Sequence, residues 1–206
     1  MKVLLVNGSP HHKGCTYTAL TEVADTLNKL GMETEDFWIG NKTISGCIGC
    51  GRCAKTGQCG IDDVVNKFLE KTKEFDGFVF GSPVHFAAAS GAITSFMDRA
   101  FYVPSSHLAY KPAASVVSCR RGGASAAFDQ INKYFTIRMM PVVSSQYWNM
   151  VHGNTPEEVL QDLEGLQTMR TLGQNMAWLL KCIEVGKQNG IPLPIREEWT
   201  PTNFIR

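Results

Sequence analysis

Cys47, Cys50, Cys53 and Cys59 follow one another as Cys-x2-Cys-x2-Cys-x5-Cys, so four of the chain's seven cysteines fall in one short stretch. The residues between them, Ile48, Gly49, Gly51, Arg52, Ala54, Lys55, Thr56, Gly57 and Gln58, are mostly small or polar. That composition suits a loop whose thiolates converge on one point better than a packed helix. A [4Fe–4S] cluster needs four thiolates around a cube, and two-residue gaps supply three of them from one loop, with Cys59 closing the set. Zinc is a second reading, although two separated Cys-x2-Cys knuckles are its commoner pattern. Metal-free thiols are a third, and the spacing alone leaves all three open. An odd cysteine total argues against a disulfide framework.

Three further segments carry residue types that bind ligands. The first, Gly8-Ser9-Pro10-His11-His12-Lys13-Gly14-Cys15-Thr16, leads into a helix and offers hydroxyls, backbone N–H groups and an ammonium to an anion. It matches neither G-x-G-x-x-G nor G-x-x-x-x-G-K-[ST], so a monophosphate fits better than a dinucleotide or triphosphate. The second, Gly81 to Gly91, has small side chains that let backbone approach a flat ring, with Phe86 available to lie against it. The third, Ser118-Cys119-Arg120-Arg121-Gly122-Gly123, brings cations and glycine N–H groups to where a reduced flavin carries negative charge, near N1 and O2. Together the three loops point to a flavin. No residue is assigned a catalytic role, because the cofactor supplies the chemistry.

Other polar and sulfur-bearing residues have blander readings. Asp62-Asp63 caps the next helix, Cys119 lies near the flavin or, as the preferred reading, is packing at a strand end, and Cys182 is core within a long apolar helix. His11, His12, His85, His107 and His152 form no metal-binding spacing, and among them His85 alone is a ligand-contact candidate. Tyr147, Trp148 and His152 cover a flavin, line an interface or, as the preferred reading, close the core.

The elements that must position these loops read as alternating strands and helices. Lys2 to Val6, Thr34 to Ile39, Gly77 to Gly81, Ala113 to Ser118 and Pro141 to Tyr147 are expected strands. Leu20, Val23, Leu27 and Leu30 have helical spacing before Gly31, and comparable stripes follow at Ile93 to Ala100 and Phe128 to Phe135. Strands separated by helices favour a parallel sheet, which holds ligands beyond its carboxyl edge. Thr155-Pro156-Glu157-Glu158 opens a last helix expected to run to Asn189, about 50 Å long, with any break near Gly173. That length suggests contact with another subunit, and the Pro-rich arm 191–206, with Trp199 and Phe204, suits a strap or an arm across a neighbour.

At 206 residues the chain fits one domain, 1–206, with the cysteine-rich loop 47–59 and the arm as its irregular parts. Apolar residues are 44%, charged residues 19% and the net charge is +1, which gives no pull toward nucleic acid or acidic membrane. The apolar run at the N-terminus is too short for a signal or membrane span, so a cytoplasmic, reducing setting is expected, where clustered cysteines serve metals or redox chemistry.

Gly8-Ser9-Pro10 with Gly14 and Thr16, and Gly81-Ser82-Pro83-Val84 with Phe86, resemble the NADPH-dependent FMN reductase branch of the flavodoxin-like family. The four clustered cysteines narrow the resemblance toward the iron–sulfur flavoproteins. It covers at least Met1 to Gly123. It implies an α/β flavodoxin-like fold, a five-stranded parallel sheet in the order 2-1-3-4-5 with helices on both faces, assembled as homodimers or homotetramers with flavins near the interfaces. It implies FMN as cofactor, NAD(P)H as electron donor and a [4Fe–4S] cluster on Cys47, Cys50, Cys53 and Cys59. Carried over by residue, Ser9, Thr16 and the backbone around Lys13 and Gly14 bind the phosphate. Pro83, Val84, His85 and Phe86 border the isoalloxazine, and Ser118, Arg121, Gly122 and Gly123 form the loop at its pyrimidine edge. His11, Cys15 and His85 depart from the arginine, asparagine and aromatic residue frequent at those places. The function implied is an FMN-dependent oxidoreductase passing electrons to a small-molecule or protein acceptor. The alternatives are a non-enzymatic iron–sulfur flavoprotein electron carrier or thiol redox sensor, and a structural zinc module on the same fold.

Overall fold

The central strands alternate cleanly between two buried faces, and this decides the layering. Leu4 and Val6 of β1 (Lys2–Asn7), Phe78 and Phe80 of β3 (Gly77–His85) and Ala113 and Val117 of β5 (Ala113–Cys119) join one apolar cluster. Val3, Leu5, Val79, Ala114 and Val116 join the other. Both faces of these strands are therefore covered, as a parallel sheet requires. The computed structural model describes residues 1–104, 107–198, 200 and 202. Trp199 and Phe204 of the arm lie outside the described residues.

The remaining elements, in chain order, are α1 (Cys15–Lys29), β2 (Glu33–Trp38), α2 (Arg52–Thr56), α3 (Val64–Lys71), the two-residue β4 (Ala88–Ala89), α4 (Gly91–Tyr102), α5 (Ala124–Ile137), β6 (Met150–His152), α6 (Pro156–Val159) and α7 (Leu163–Gln188). Helices α3, α4 and α5 cover the first face, where Phe68 of α3 packs edge-on against Phe78, Phe80 and Phe96. Helices α1 and α7 cover the second.

Five parallel strands run in the order β2-β1-β3-β5-β6, the expected flavodoxin-like order, and β4 adds a sixth, antiparallel to the end of β3. The last strand is not where sequence placed it. Pro141 to Tyr147 makes only an isolated bridge, Ala113 to Val142, and the paired strand is Met150–His152. The chain touches β5 through Val143 N–H to the Ala113 carbonyl (2.8 Å), leaves it, and returns where Val117 N–H reaches the Asn149 carbonyl (3.0 Å). Between these, Ser145 Oγ donates to the Tyr147 carbonyl at 2.6 Å, so a side-chain hydroxyl competes with the ladder.

The long C-terminal helix is also divided. Thr155 caps α6 and Pro156 opens it, as expected, but the chain breaks at Leu160–Asp162 rather than near Gly173. Asp162 restarts the helix by accepting the Gly165 N–H at 2.9 Å and also takes the His152 N–H at 2.7 Å. Gly173 is instead a contact point, since a Cβ there would lie 2.8 Å from Thr26 Cβ of α1. Cys182 is exposed rather than core, on the outward side of α7. Tyr147 and Trp148 do not close the core: both stand about half exposed, packed on each other at 4.9 Å. Among the described residues no helix is long and apolar enough to cross a membrane.

Candidate functional site

The ends of β1, β3 and β5 open into a cleft of about 690 Å³, and its lining joins all three loops singled out in the sequence. The first loop is held from below by the buried Asn7, whose Nδ2 donates to the His12 carbonyl (2.8 Å) while its Oδ1 accepts the Ser9 N–H (3.1 Å). Ser9 Oγ accepts the His11 N–H at 3.2 Å. Trp38, at the end of β2, donates Nε1–H to the Ser9 carbonyl at 2.7 Å and stacks on His12 with centroids 4.6 Å apart. Gly14 ends the loop as the residue before α1 and has no side chain to accept the first-turn N–H groups. Those donors, at the positive end of a 15-residue helix, are left for an anion.

The loops are also fastened to one another. Gly8 N–H donates to the Gly81 carbonyl at 2.8 Å, and Ser90 Oγ donates to the Gly8 carbonyl at 3.1 Å. The hydroxyls of Thr16 and Ser118 meet at 2.8 Å in a buried contact between the first and third loops. Gly8 is required by proximity, because a Cβ would come within 2.7 Å of Ile93 Cβ and 2.8 Å of the Gly81 carbonyl oxygen.

Ser9, His11, Lys13, Gly14, Cys15, Thr16, Pro83, Val84, His85 and Ser118 line the cleft, where sequence placed them. Phe86 does not. It sits with Ala87 at the tip of the β3–β4 hairpin, both with positive φ (50° and 59°), and its ring is fully exposed. A two-residue hairpin loop of that twist turns its side chains away from the sheet. Arg121, Gly122 and Gly123 also fall outside the lining, which includes Arg120. Gly123 serves the hairpin instead: it precedes α5 with φ 87°, and a Cβ there would lie 2.5 Å from Ala87 Cα. Sequence reading missed Gly153, Asn154, Thr155 and Pro156, which form a fourth wall after β6. Gly-Asn-Thr-Pro is a turn signal, but it was separated from the sheet by the misplaced fifth strand. Cys15 and Cys119 line the cleft, and burial pushes both thiols upward from the ordinary thiol range.

A second, shallow pocket is lined by Cys47, Cys50, Cys53 and Cys59 together with Ile61, Arg99 and Tyr102. No residue of it lines the cleft among the described residues. The cysteine run is not wholly irregular: Arg52 to Thr56 forms the short α2, bracketed by Gly51 and Gly57 in left-handed conformation, and carries Cys53. Cys50 Sγ turns toward Gly60, since a Cβ at that glycine would lie 3.3 Å from it. Asn66 pins Cys59 from both sides, accepting its N–H at 2.9 Å and donating to its carbonyl at 3.1 Å. The four thiols share one pocket, yet among the described residues no three cysteine, histidine or acidic side chains converge into a metal cage.

Arg99, in the last turn of α4, is the side chain sequence reading overlooked. Its side chain is 1% exposed, and all five of its N–H bonds have acceptors. Nε donates to Cys59 Sγ (3.2 Å), Nη1 to Asp63 Oδ2 (2.7 Å) and the Ser45 carbonyl (3.3 Å), Nη2 to Asp63 Oδ1 (2.9 Å) and the Ile61 carbonyl (2.8 Å). Burial alone would raise the Asp63 carboxyl, but the Arg99 fork and the Val65 N–H it caps hold it below its usual range. Asp63 therefore adds stability that is complete above the unfolded carboxylate pKa of about 3.9 and is lost as pH falls through the lower folded-state value. Replacing Asp63 by asparagine strands a buried guanidinium. The expected cost is about 3 kcal/mol at pH 7, the low end for a broken buried pair because Asp63 remains 29% exposed. In urea unfolding the deficit should shrink well below pH 4; an equal deficit at both pH values would contradict it.

Set against known proteins, residues 1–155 match the family described as NADPH-dependent FMN reductase. An iron–sulfur flavoprotein of Methanocaldococcus jannaschii is 34% identical over 192 residues, covering 89% of this chain and 100% of that protein. Among solved structures, RosB with a bound 8-demethyl-8-formylriboflavin-5′-phosphate intermediate superposes with a TM-score of 0.70 at 15% identity, covering 100% of this chain and 94% of that one. A flavodoxin from the domain Archaea gives 0.60 at 15% identity, covering 88% and 99%. At such identities these two likenesses speak for the fold alone.

Proposed function

This chain belongs to the NADPH-dependent FMN reductase family, and on that premise we propose that it is an FMN-dependent oxidoreductase taking hydride from NAD(P)H and passing the electrons to a small-molecule or protein acceptor. The observation that carries the reading is the cleft itself: an uncapped helix N-terminus and three tethered loops at the carboxyl edge of a parallel sheet. These residues fit FMN. The N–H groups of the first turn of α1, with Ser9, Thr16 and Lys13, would hold the phosphate, while Pro83, Val84 and His85 would flank the ring. Arg120 would bring positive charge to the third loop. When bound, FMN supplies a hydride-accepting N5 and can release electrons singly or in pairs.

The same reading assigns Cys47, Cys50, Cys53 and Cys59 to a [4Fe–4S] cluster. Support comes from the four thiols sharing one pocket and from the iron–sulfur flavoproteins among the relatives. Apolar residues exposed on α7, Leu163, Trp178 and Val185, support a homodimer or homotetramer. A cytoplasmic, reducing location would keep the thiols available.

Anaerobic purification, a visible spectrum and NADH and NADPH oxidation with free flavin as acceptor test the enzyme. Flavin bands with sustained turnover are expected. Bound flavin without turnover would favour an electron carrier or thiol redox sensor, and a colourless protein that takes up no FMN would end the reading.

A further inference from the structure

Among the described residues the largest fully buried side chain is a cation, Arg99, placed directly behind one of the four clustered thiols. Nothing in the FMN cleft uses it, since Arg99 lines the cysteine pocket and not the cleft. Its position is determined from three directions. Asp63 grips the outer fork with two bonds, the Ser45 and Ile61 carbonyls take the remaining outer donors, and only Nε–H is left to face the pocket, where it meets Cys59 Sγ at 3.2 Å. Cys59 is itself held by Asn66 at both its N–H and its carbonyl. Donor and acceptor are thus fixed by independent contacts, and the meeting is not that of two flexible surface groups.

A buried ion pair costs desolvation and is a weak source of stability compared with well-packed apolar groups. In α4 the flanking Phe96, Met97, Ala100 and Phe101 are buried and apolar, so an arginine among them stands out. A guanidinium keeps its charge at any ordinary pH and aims a donor along a fixed line, which suits it to act on one chosen atom. An N–H to a sulfur ligand, with a buried positive charge behind it, stabilises the more negative of two redox states, and cluster potentials respond to both factors.

We propose that Arg99 is a positioning residue that orients Cys59 as a ligand and, through Nε–H to its sulfur and its buried charge, raises the reduction potential of the iron–sulfur centre in the cysteine pocket. This rests on the reading that the four thiols hold a cluster. On one-electron reduction by an added reductant, one unit of negative charge is gained by the cluster and its thiolates. Arg99 favours that added charge, and no bond to carbon forms or breaks. Asp63 tempers the effect by neutralising part of the guanidinium charge and fixes the direction of Nε–H.

The test compares anaerobically prepared wild type, Arg99→Lys and Arg99→Met by iron, sulfide and FMN content and by dye-mediated redox titration of the cluster spectrum. Arg99→Met with iron retained is expected to lower the cluster's reduced-to-oxidised ratio at least tenfold at a fixed potential, about 59 mV for one electron. The FMN potential should move far less, and Arg99→Lys should recover part of the shift. Unchanged cluster potential in an iron-replete Arg99→Met protein would overturn the proposal. A measurement on the wild type does not depend on the variants folding. With 15N-arginine incorporated, the reduced cluster's pulsed electron paramagnetic resonance should show a nitrogen coupling that persists in an Arg52→Lys background. Absence of that coupling would equally overturn it. Wild type that binds FMN but takes up no iron would instead remove the cluster reading, a failure distinct from failure of the Arg99 role.

Discussion

On the proposed reading that the four thiols hold a cluster, anaerobically prepared Cys50→Ser is expected to lose its iron and sulfide while keeping its FMN. Cys50 is exposed, so the change costs the fold little. Serine oxygen replaces a thiolate, however, and soft thiolate ligands are what select iron–sulfur clusters. With one of four ligands gone, iron should fall from about four per chain to less than one. The FMN bands should persist because no residue lines both the cysteine pocket and the cleft among the described residues. Iron by atomic absorption, set against flavin absorbance in the same sample, reads both. Full iron retention would remove Cys50 from the ligand set, and joint loss of iron and FMN would mean that the two sites are coupled.

Gly8→Ala should do the opposite, weakening FMN binding and lowering stability while leaving the cysteine pocket's composition untouched. The added methyl would meet Ile93 Cβ at 2.7 Å and the Gly81 carbonyl oxygen at 2.8 Å. Neither neighbour yields easily: Ile93 is fully buried at the start of α4, and the Gly81 oxygen accepts the Gly8 N–H at 2.8 Å. Because the obstacle is partly backbone, the cost belongs near the top of the overpacking range, about 3 kcal/mol. For a chain of this size that is a fall of roughly 6–12 °C in Tm. The strain is relieved by moving the first loop off the second, which widens the cleft. If half the cost falls on the bound geometry, FMN binding weakens about tenfold. Calorimetry and flavin fluorescence titration measure the two effects, and a wild-type Tm would show that the close approach at Gly8 is not enforced.

The site was legible in the sequence where local chemistry decides it. Gly8 to Thr16 announces an anion-binding helix start because hydroxyls, glycines and a helix entry are all within the loop itself. Gly81 to His85 and Ser118 could be placed because they end runs whose apolar character marks central strands. The structure departs from those expectations where neighbours decide. Arg120 and not Arg121 lines the cleft, and Gly123 packs on Ala87, a contact between loops distant in sequence. Phe86 is thrown outward by a hairpin that exists only once β4 has paired with β3. The strand at Met150–His152 was hidden because Pro141 to Tyr147 is the more strand-like run, and only the β5 edge shows which segment pairs.

The cysteine run shows the same division. Type and spacing alone determined that Cys47, Cys50, Cys53 and Cys59 form one potential ligand set, and alternation of apolar residues determined a parallel sheet with both faces covered. Periodicity is local, and the chain carries it before folding. Tertiary structure decided that these thiols share a pocket separate from the cleft, and that a buried arginine from α4, forty residues further along the chain, stands behind Cys59. No spacing rule reports that contact. It depends on α3 and α4 packing on the same face of the sheet, where Asp63 and Cys59 surround a guanidinium that the sequence alone presents as one more charge on a helix.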